Sequence, residues 1–593
     1  MGKKNTFSIE HLTTISNRLL TAKRASAVRY INSLSYEKQL QLFLTTDPKN
    51  RMKMLSLFPS PKKIIRHISE EELYWTIKES GIKHSFPLFK YSSPEQTHFI
   101  FDIEWWHTDK LELKKIARWL NVLSRSGSKK IIQWFKTFDF ELLILTLKQF
   151  VAVHKPHEGT DDYGESIEGL PDFTLDGVYF CFFPHKGTEA TMRKLLRTLI
   201  AHDTHYYAMI MENIIWGLDT ELEYETYHST QRRLADKGIP ELDDASEIYR
   251  FISDKEIESL PKKGTVLSKN HDSSLKSFYP IRLGTNNTLY IKTVLEQIHD
   301  SSFLEEFSLS IAHLANKILV ADQFALSDHS SFKNKVFKAV GIANIGLETL
   351  AEKKLESGEA ILKSYWFEHL FSIGWSKIAA LQSSYKARLN MVYTTMNNSF
   401  LGFGSPLHEI LVGITKAKPQ FYTGNTESLS QYSDFKTIAE LKRTEESIQY
   451  ALFIHDLIVN RLGLRFPDYS TSSSLLDEGI NKTYATLFLT GYAHKTFTGQ
   501  WAVKPLNFNT VKIFLDTIFS PDFPQSNYSI ELISTNAINA FSEAIYPIND
   551  IFLKKFVTSC FSHLEQEYLE ATQDHFFDII IFKSLWIEHF YSS

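Results

Sequence analysis

Ser60-Pro-Lys-Lys-Ile-Ile-Arg-His-Ile-Ser-Glu-Glu-Glu72 carries two helix starts in one short stretch, and it decides the fold class. In Ser60-Pro61 a side-chain oxygen stands at the N-cap and proline follows at the first helical position, where its missing N–H costs nothing. Ser69-x-x-Glu72 has capping-box spacing, so two orphan backbone donors can be satisfied reciprocally. Asp47-Pro48 upstream and Ser93-Pro94-x-Gln96 downstream repeat the same grammar. Between these starts there is room only for helices of about two to four turns. Leu40, Phe43 and Leu44 form one apolar stripe, and Ile64, Ile65 and Ile68 form another. Short helices in quick succession predict a stacked array in which each covers its neighbour's apolar face. Such arrays present surfaces to partners.

Further along, Ile116, Trp119, Leu120 and Leu123, then Trp134, Phe135, Phe138 and Leu142–Leu147, continue the helical pattern. Gly81 and Gly127 follow helix ends, where a left-handed C-cap is needed. A glycine- and acid-rich break spans His154 to Asp176 and reads as an acidic loop or lid, and Val178–Phe183 is the best strand candidate. Helices resume from Thr188 to Ala235, with Thr220-x-x-Glu223 as a further capping box, and Gly238 and Pro240 mark a stop. Lysine-, serine- and glycine-rich residues 260–279 form a linker. Longer helices are expected over Val294–Val340 and Leu347–Tyr393, and a helix pair over Phe552–Phe590.

The chain of 593 residues is 43% hydrophobic and 23% charged, with a net charge of −4. That is ordinary globular composition and lacks the concentrated basic face of a nucleic-acid binder. Two cysteines, Cys181 and Cys560, exclude a disulfide framework or a cysteine-based zinc site. Cys181 sits in an apolar run and reads as a buried, inert thiol. No signal-peptide apolar stretch opens the chain, and Leu142–Val153 is too short to span a bilayer. Gly2 with Thr6 fits the loose myristoylation pattern, but one acyl chain binds membranes only marginally. The chain therefore reads as cytoplasmic, without stable membrane insertion.

Several residues are candidate sites. Lys363-Ser-Tyr-Trp-Phe-Glu-His369 recurs as Lys583-Ser-Leu-Trp-Ile-Glu-His589. Two Glu-His pairs on two helices suggest a metal site at His369 and His589, but adjacent helical residues diverge by about 100° and cannot chelate from one face. The plainer reading is a core histidine packed on the tryptophan three positions earlier. His202-x-x-His205, with Glu212 beyond, has metal-like spacing without the i, i+4 pair and intervening glutamate of zinc helices. His154-x-x-His157 lies among acids in the loop. Trp105-Trp106 point to different faces, so in a thin array at most one is core and the other anchors a partner or caps the next repeat. Arg232-Arg233 could grip a carboxylate or phosphate, or simply complement a helix end. No Gly-x-Ser-x-Gly elbow, phosphate loop or Gly-x-Gly-x-x-Gly occurs, so no cofactor is implied.

Phe173-Thr-Leu-Asp-Gly-Val-Tyr179, Arg233-Leu-Ala-Asp-Lys-Gly-Ile-Pro240 with Ile248-Tyr249, and Ala315–Asp322 followed by Gly346-Leu-Glu348 and Leu370-Phe-x-x-Gly374 together resemble an uncharacterised bacterial family of unknown function. That family is found chiefly in sulfate-reducing and related proteobacteria, and the resemblance implies no activity. Ile239 stands where members of that family carry an aromatic. The rhythm of the first 120 residues, with Leu42-Phe-Leu-Thr-Thr-Asp-Pro48 and Arg51, is similar to the helical N-domain of magnesium transporters and to flagellar motor switch proteins. That likeness implies an interaction or regulatory superhelix.

The expectation is a mainly α protein, an N-terminal armadillo-like helical superhelix followed by further helical domains with minor β. Boundaries fall at 1–153, 172–253, 280–415 and 416–593. The expected role is a non-catalytic scaffold or regulatory protein of the bacterial cytoplasm that binds another protein and no nucleic acid. The alternative is a metal-dependent hydrolase with its site formed between domains, near residues 154–183.

Overall fold

The computed structural model describes residues 9–82, 84–107, 109–156, 173–263, 289–324, 329–354, 357–396, 398–424, 431–465, 483–519, 530–541, 551–572 and 582–587. It is mainly helical, with small antiparallel sheets, and divides into two compact units, residues 1–376 and 377–593.

After helices Ile9–Thr21 and Arg24–Ser33, the N-terminal unit continues in short helices: Tyr36–Thr45, Pro61–His67, Glu70–Ser80, Phe86–Tyr91 and Pro94–Trp105. Ser93 and Gln96 form the full capping box. Ser69 accepts from the Glu72 amide, but the Glu72 carboxylate does not reciprocate. It pairs instead with the buried Arg51 guanidinium, which also donates to Thr76 Oγ1 (2.6 Å) and the Leu44 carbonyl (2.7 Å). A buried charge demands a partner more strongly than an exposed amide does. Ser60 starts its helix without a side-chain bond, and Asp47 caps only the 3-10 turn Pro48–Asn50. The stripes Leu40/Phe43/Leu44 and Ile64/Ile65/Ile68 are buried, as are Trp119, Trp134, Phe135 and Leu142–Leu147.

Trp105 and Trp106 are both buried, which corrects the expectation that one stays outside the core. The helix ends at Trp105, whose ring stacks on Phe101 at 4.2 Å. Trp106 begins a hairpin with Leu111 opposite, and its other side meets Tyr227 at 5.6 Å. The array is not thin here, because the helix Asp219–Asp236 supplies a second wall. Thr220 lies inside that helix, behind Leu218 at the N-cap, so the capping box expected there does not form.

The strand expected at 178–183 is found as Phe180–Phe182. It is the centre of a three-stranded antiparallel sheet, between Ala152–His154 and Phe173–Thr174, with Cys181 opposite both Val153 and Phe173. Cys181 is buried and its thiol is pushed up to about 12 by burial, the mark of an unreactive cysteine. Helices Glu189–Ile200 and Thr204–Trp216 follow. Later helices of the same unit include Ser301–Ala321 and His329–Lys354, and Phe332 stacks on Trp75 at 4.0 Å.

The C-terminal unit is an aromatic-rich helical core around Phe488, Phe514 and Phe561. Helix Ile438–His455 runs into a π-helical turn, Asp456–Arg461, where buried His455 Nδ1 is hydrogen-bonded to Tyr484 Oη at 2.5 Å. Of the expected terminal helix pair, Ile551–Thr572 forms. Residues 582–587 are not helical: they carry a parallel bridge from Ile587 to Leu506, and the Trp586 amide donates to Thr490 Oγ1 (2.9 Å). This corrects the expected second helix.

Candidate functional site: a cationic groove

Helix Glu189–Ile200 buries Met192, Leu195, Leu196 and Leu199. The opposite stripe, Ala190, Arg193, Lys194, Arg197, Thr198 and Ala201, recurs at helical spacing and is left to face outward. Helix Ser128–Thr137 packs beside it, burying Ile131, Trp134 and Phe135 and turning Lys129 and Ile132 to the same side. Between the two helices lies an open cavity of about 960 Å³, lined by these residues with Ser128 and His202. No carboxylate is among the lining residues. Lys129, Arg193, Lys194 and Arg197 make the lining cationic, and Ile132, Ala190 and Ala201 are its apolar residues.

The small sheet sets the geometry of this groove. Its strand ends bring Phe173 and Phe183 edge to face at 5.4 Å. The Arg193 guanidinium lies 4.2 Å from the Phe173 ring and 5.2 Å from Phe183, and Glu189 holds it at 2.7 Å. Arg197 also stands over Phe173, at 5.7 Å. Aromatic faces attract and orient cations, so one wall of the groove is fixed before any ligand arrives. Lys194 and Arg197 are exposed and free to reach outward.

His202 lies at the end of the groove and is exposed, as is His205. The lysines and arginines around His202 disfavour a metal cation there, and Asp203 between the histidines is committed to capping Thr204–Trp216. His369 is half-buried; burial pulls its pKa below the usual histidine range, against the opposing pull of Glu368. Glu368 itself pairs with Lys317 at 2.7 Å. Trp366 is exposed, so the core histidine-on-tryptophan packing does not form. His589, His157 and Gly2 lie outside the described residues. Among the described residues, no group of three or more His, Cys, Asp or Glu is placed to hold a metal ion.

The paired arginines divide. Arg232 is exposed, while Arg233 turns inward and grips carboxylates of its own chain. It donates to both oxygens of Asp102 (2.9 Å each) and to Asp139 (2.7 Å). Burial raises the pKa of Asp102 against the opposing pull of Arg233. Burial also raises that of Asp139, but the Leu142 amide and Arg233 outweigh it and hold the carboxyl below its usual range.

The groove was not singled out from sequence, although the stripe 190, 193, 194, 197, 198, 201 is regular. A polar stripe at helical spacing describes any solvated helix face. Only the second helix, brought alongside, makes it a groove. Among the described residues the exposed tryptophans are Trp216 and Trp366, while Trp105 and Trp106 are buried.

Residues 29–587 match a family of unknown function, DUF6178, and the chain belongs to that family. Neither the curated proteins nor the solved structures contain a match. No described helix is long and apolar enough to cross a membrane.

Proposed function

We propose that this chain is a non-catalytic scaffold or regulatory protein of the bacterial cytoplasm. In this reading its cationic groove takes an acidic, partly apolar segment of a partner protein, and the short N-terminal helices are an armadillo-like support for it. One observation carries the reading: Lys129, Arg193, Lys194, Arg197 and His202 line one cavity together with the apolar Ile132, Ala190 and Ala201, without a lining carboxylate. A small inorganic anion would use the cations and leave Ile132, Ala190 and Ala201 uncovered. Nucleic acid calls for a longer basic face than two helices supply, and this chain carries a net charge of −4. An acidic peptide with an interspersed leucine or tryptophan uses the cations and the apolar lining together.

The test is fluorescence anisotropy of the full chain with a dye-labelled Asp/Glu-rich peptide containing leucine. The expected result is binding that weakens as salt screens the charges. It should fall by about tenfold or more in the double variant Lys194→Glu/Arg197→Glu. A peptide that does not bind, or that binds the variant equally well, would overturn the proposal.

A further inference from the structure

We infer that the occupant of the groove is a second copy of this chain, which inserts the acidic, aromatic ridge Trp216–Glu225; the inference rests on the groove reading above. On the ridge, Trp216 is 74% exposed, Leu218 61% and Tyr224 68%. Large apolar side chains this exposed and this close in sequence mark a contact surface. Glu223 and Glu225 are exposed on either side of Tyr224. From Thr198 to Gln231 the chain contains no lysine or arginine to offset Glu223 and Glu225. The ridge is thus acidic with exposed apolar side chains, and the groove is cationic with Ile132, Ala190 and Ala201 in its lining. None of the ridge residues lines the groove.

The ridge is also held ready. The Trp216 indole N–H donates to the Glu212 carboxylate at 3.1 Å. Glu212 is in turn held by Lys155 (2.6 Å) and by Tyr179 Oη (2.7 Å). Lys148 Nζ donates to the Gly217 carbonyl at 2.5 Å and pins the turn between the two helices. A tryptophan whose rotamer is already fixed loses little entropy on docking. Because groove and ridge are different surfaces, the contact closes either as a two-fold pair that makes it twice or as a head-to-tail ring or string of copies.

Sedimentation velocity of the full chain over a range of concentrations, at low and high salt, tests this. The wild-type chain is expected to pass from one copy to two or more as concentration rises at low salt, and to return to one copy at high salt. Lys194→Glu/Arg197→Glu reverses the groove and Glu223→Lys/Glu225→Lys reverses the ridge. Each variant alone should associate about tenfold more weakly. An equimolar mixture of the two should associate again, because each then offers the surface that the other lacks. A chain that stays monomeric yet binds the acidic peptide overturns the self-association alone; one that does neither overturns the groove reading with it. Association that both variants retain also overturns the inference.

Discussion

Gly346 and Gly374 bring two helix backbones into direct contact. A Cβ on Gly374 would stand 1.9 Å from the Ile342 carbonyl oxygen, and one on Gly346 would stand 2.0 Å from that of Leu370. No side chain intervenes at this crossing of helix His329–Lys354 with the helix beginning at Phe367, so neither backbone can yield alone.

Gly374→Ala and Gly346→Ala are therefore expected to destabilise the chain by about 3 kcal/mol or more, as overpacking against a rigid backbone does. Gly187→Ala, where a Cβ meets nothing within 4 Å, is the control and should change little. Urea unfolding followed by circular dichroism measures both. Equal midpoints for Gly374→Ala and Gly187→Ala would contradict the close crossing.

Arg233 joins Asp102 and Asp139, which lie far apart in sequence. Arg233→Ala strands two carboxylates, one of them buried, and should cost about 3 kcal/mol. Asp102→Asn should cost less, because burial already disfavours the Asp102 charge. Asp139 is held below its usual range, so its contribution is present above the unfolded pKa and is lost as pH falls through the folded value. Acid unfolding of wild type and Asp139→Asn should show that loss in the wild type only.

Lys130 is buried, and its ammonium reaches three neutral oxygens: the Ser92 carbonyl (2.8 Å), Ser92 Oγ (3.0 Å) and Thr97 Oγ1 (2.7 Å). Burial pulls its pKa down to about 7 from the ordinary 10.5. Between those values the unfolded chain binds more protons than the folded one, so stability rises with pH across that window, by at most about 1.4 kcal/mol per unit. Urea midpoints measured at several pH values should climb in wild type and stay flatter in Lys130→Met. Parallel slopes would refute the assignment.

Ser93 and Ser60 look alike in sequence and differ in the fold. Ser93 Oγ accepts from the Gln96 backbone N–H, while Gln96 Oε1 accepts from the Ser93 N–H and Gln96 Nε2 donates to the Ile65 and Ile68 carbonyls. Ser93→Ala should cost about 1 kcal/mol and Ser60→Ala only a few tenths. Thermal melting of the two variants separates them; equal losses would show that the capping box is not the cause.

Local rules fixed what was legible. Cap residues and apolar spacing act within a few positions, so the short helices, the stripes Leu40/Phe43/Leu44 and Ile64/Ile65/Ile68, the strand near Cys181 and the helix stop at Gly238 could be read directly. The same rules misplaced Thr220, because a threonine three before a glutamate is equally at home inside a helix. They also drew a helix at 582–587, where the chain is irregular and is held by the bridge to Leu506 and the bond to Thr490.

By itself the sequence determined the helical class, because each start, stripe and stop costs or gains free energy locally, whatever lies elsewhere in the chain. Only the tertiary structure decided the fates of individual polar groups. Glu72 left its capping box for Arg51, Arg233 turned from a surface grip into an internal clamp, and two adjacent tryptophans both found cover. The groove belongs to the same class. Its cations come from two helices separated by some sixty residues and are oriented by Phe173 and Phe183 from a third element, and charge converges in space without any trace in local spacing.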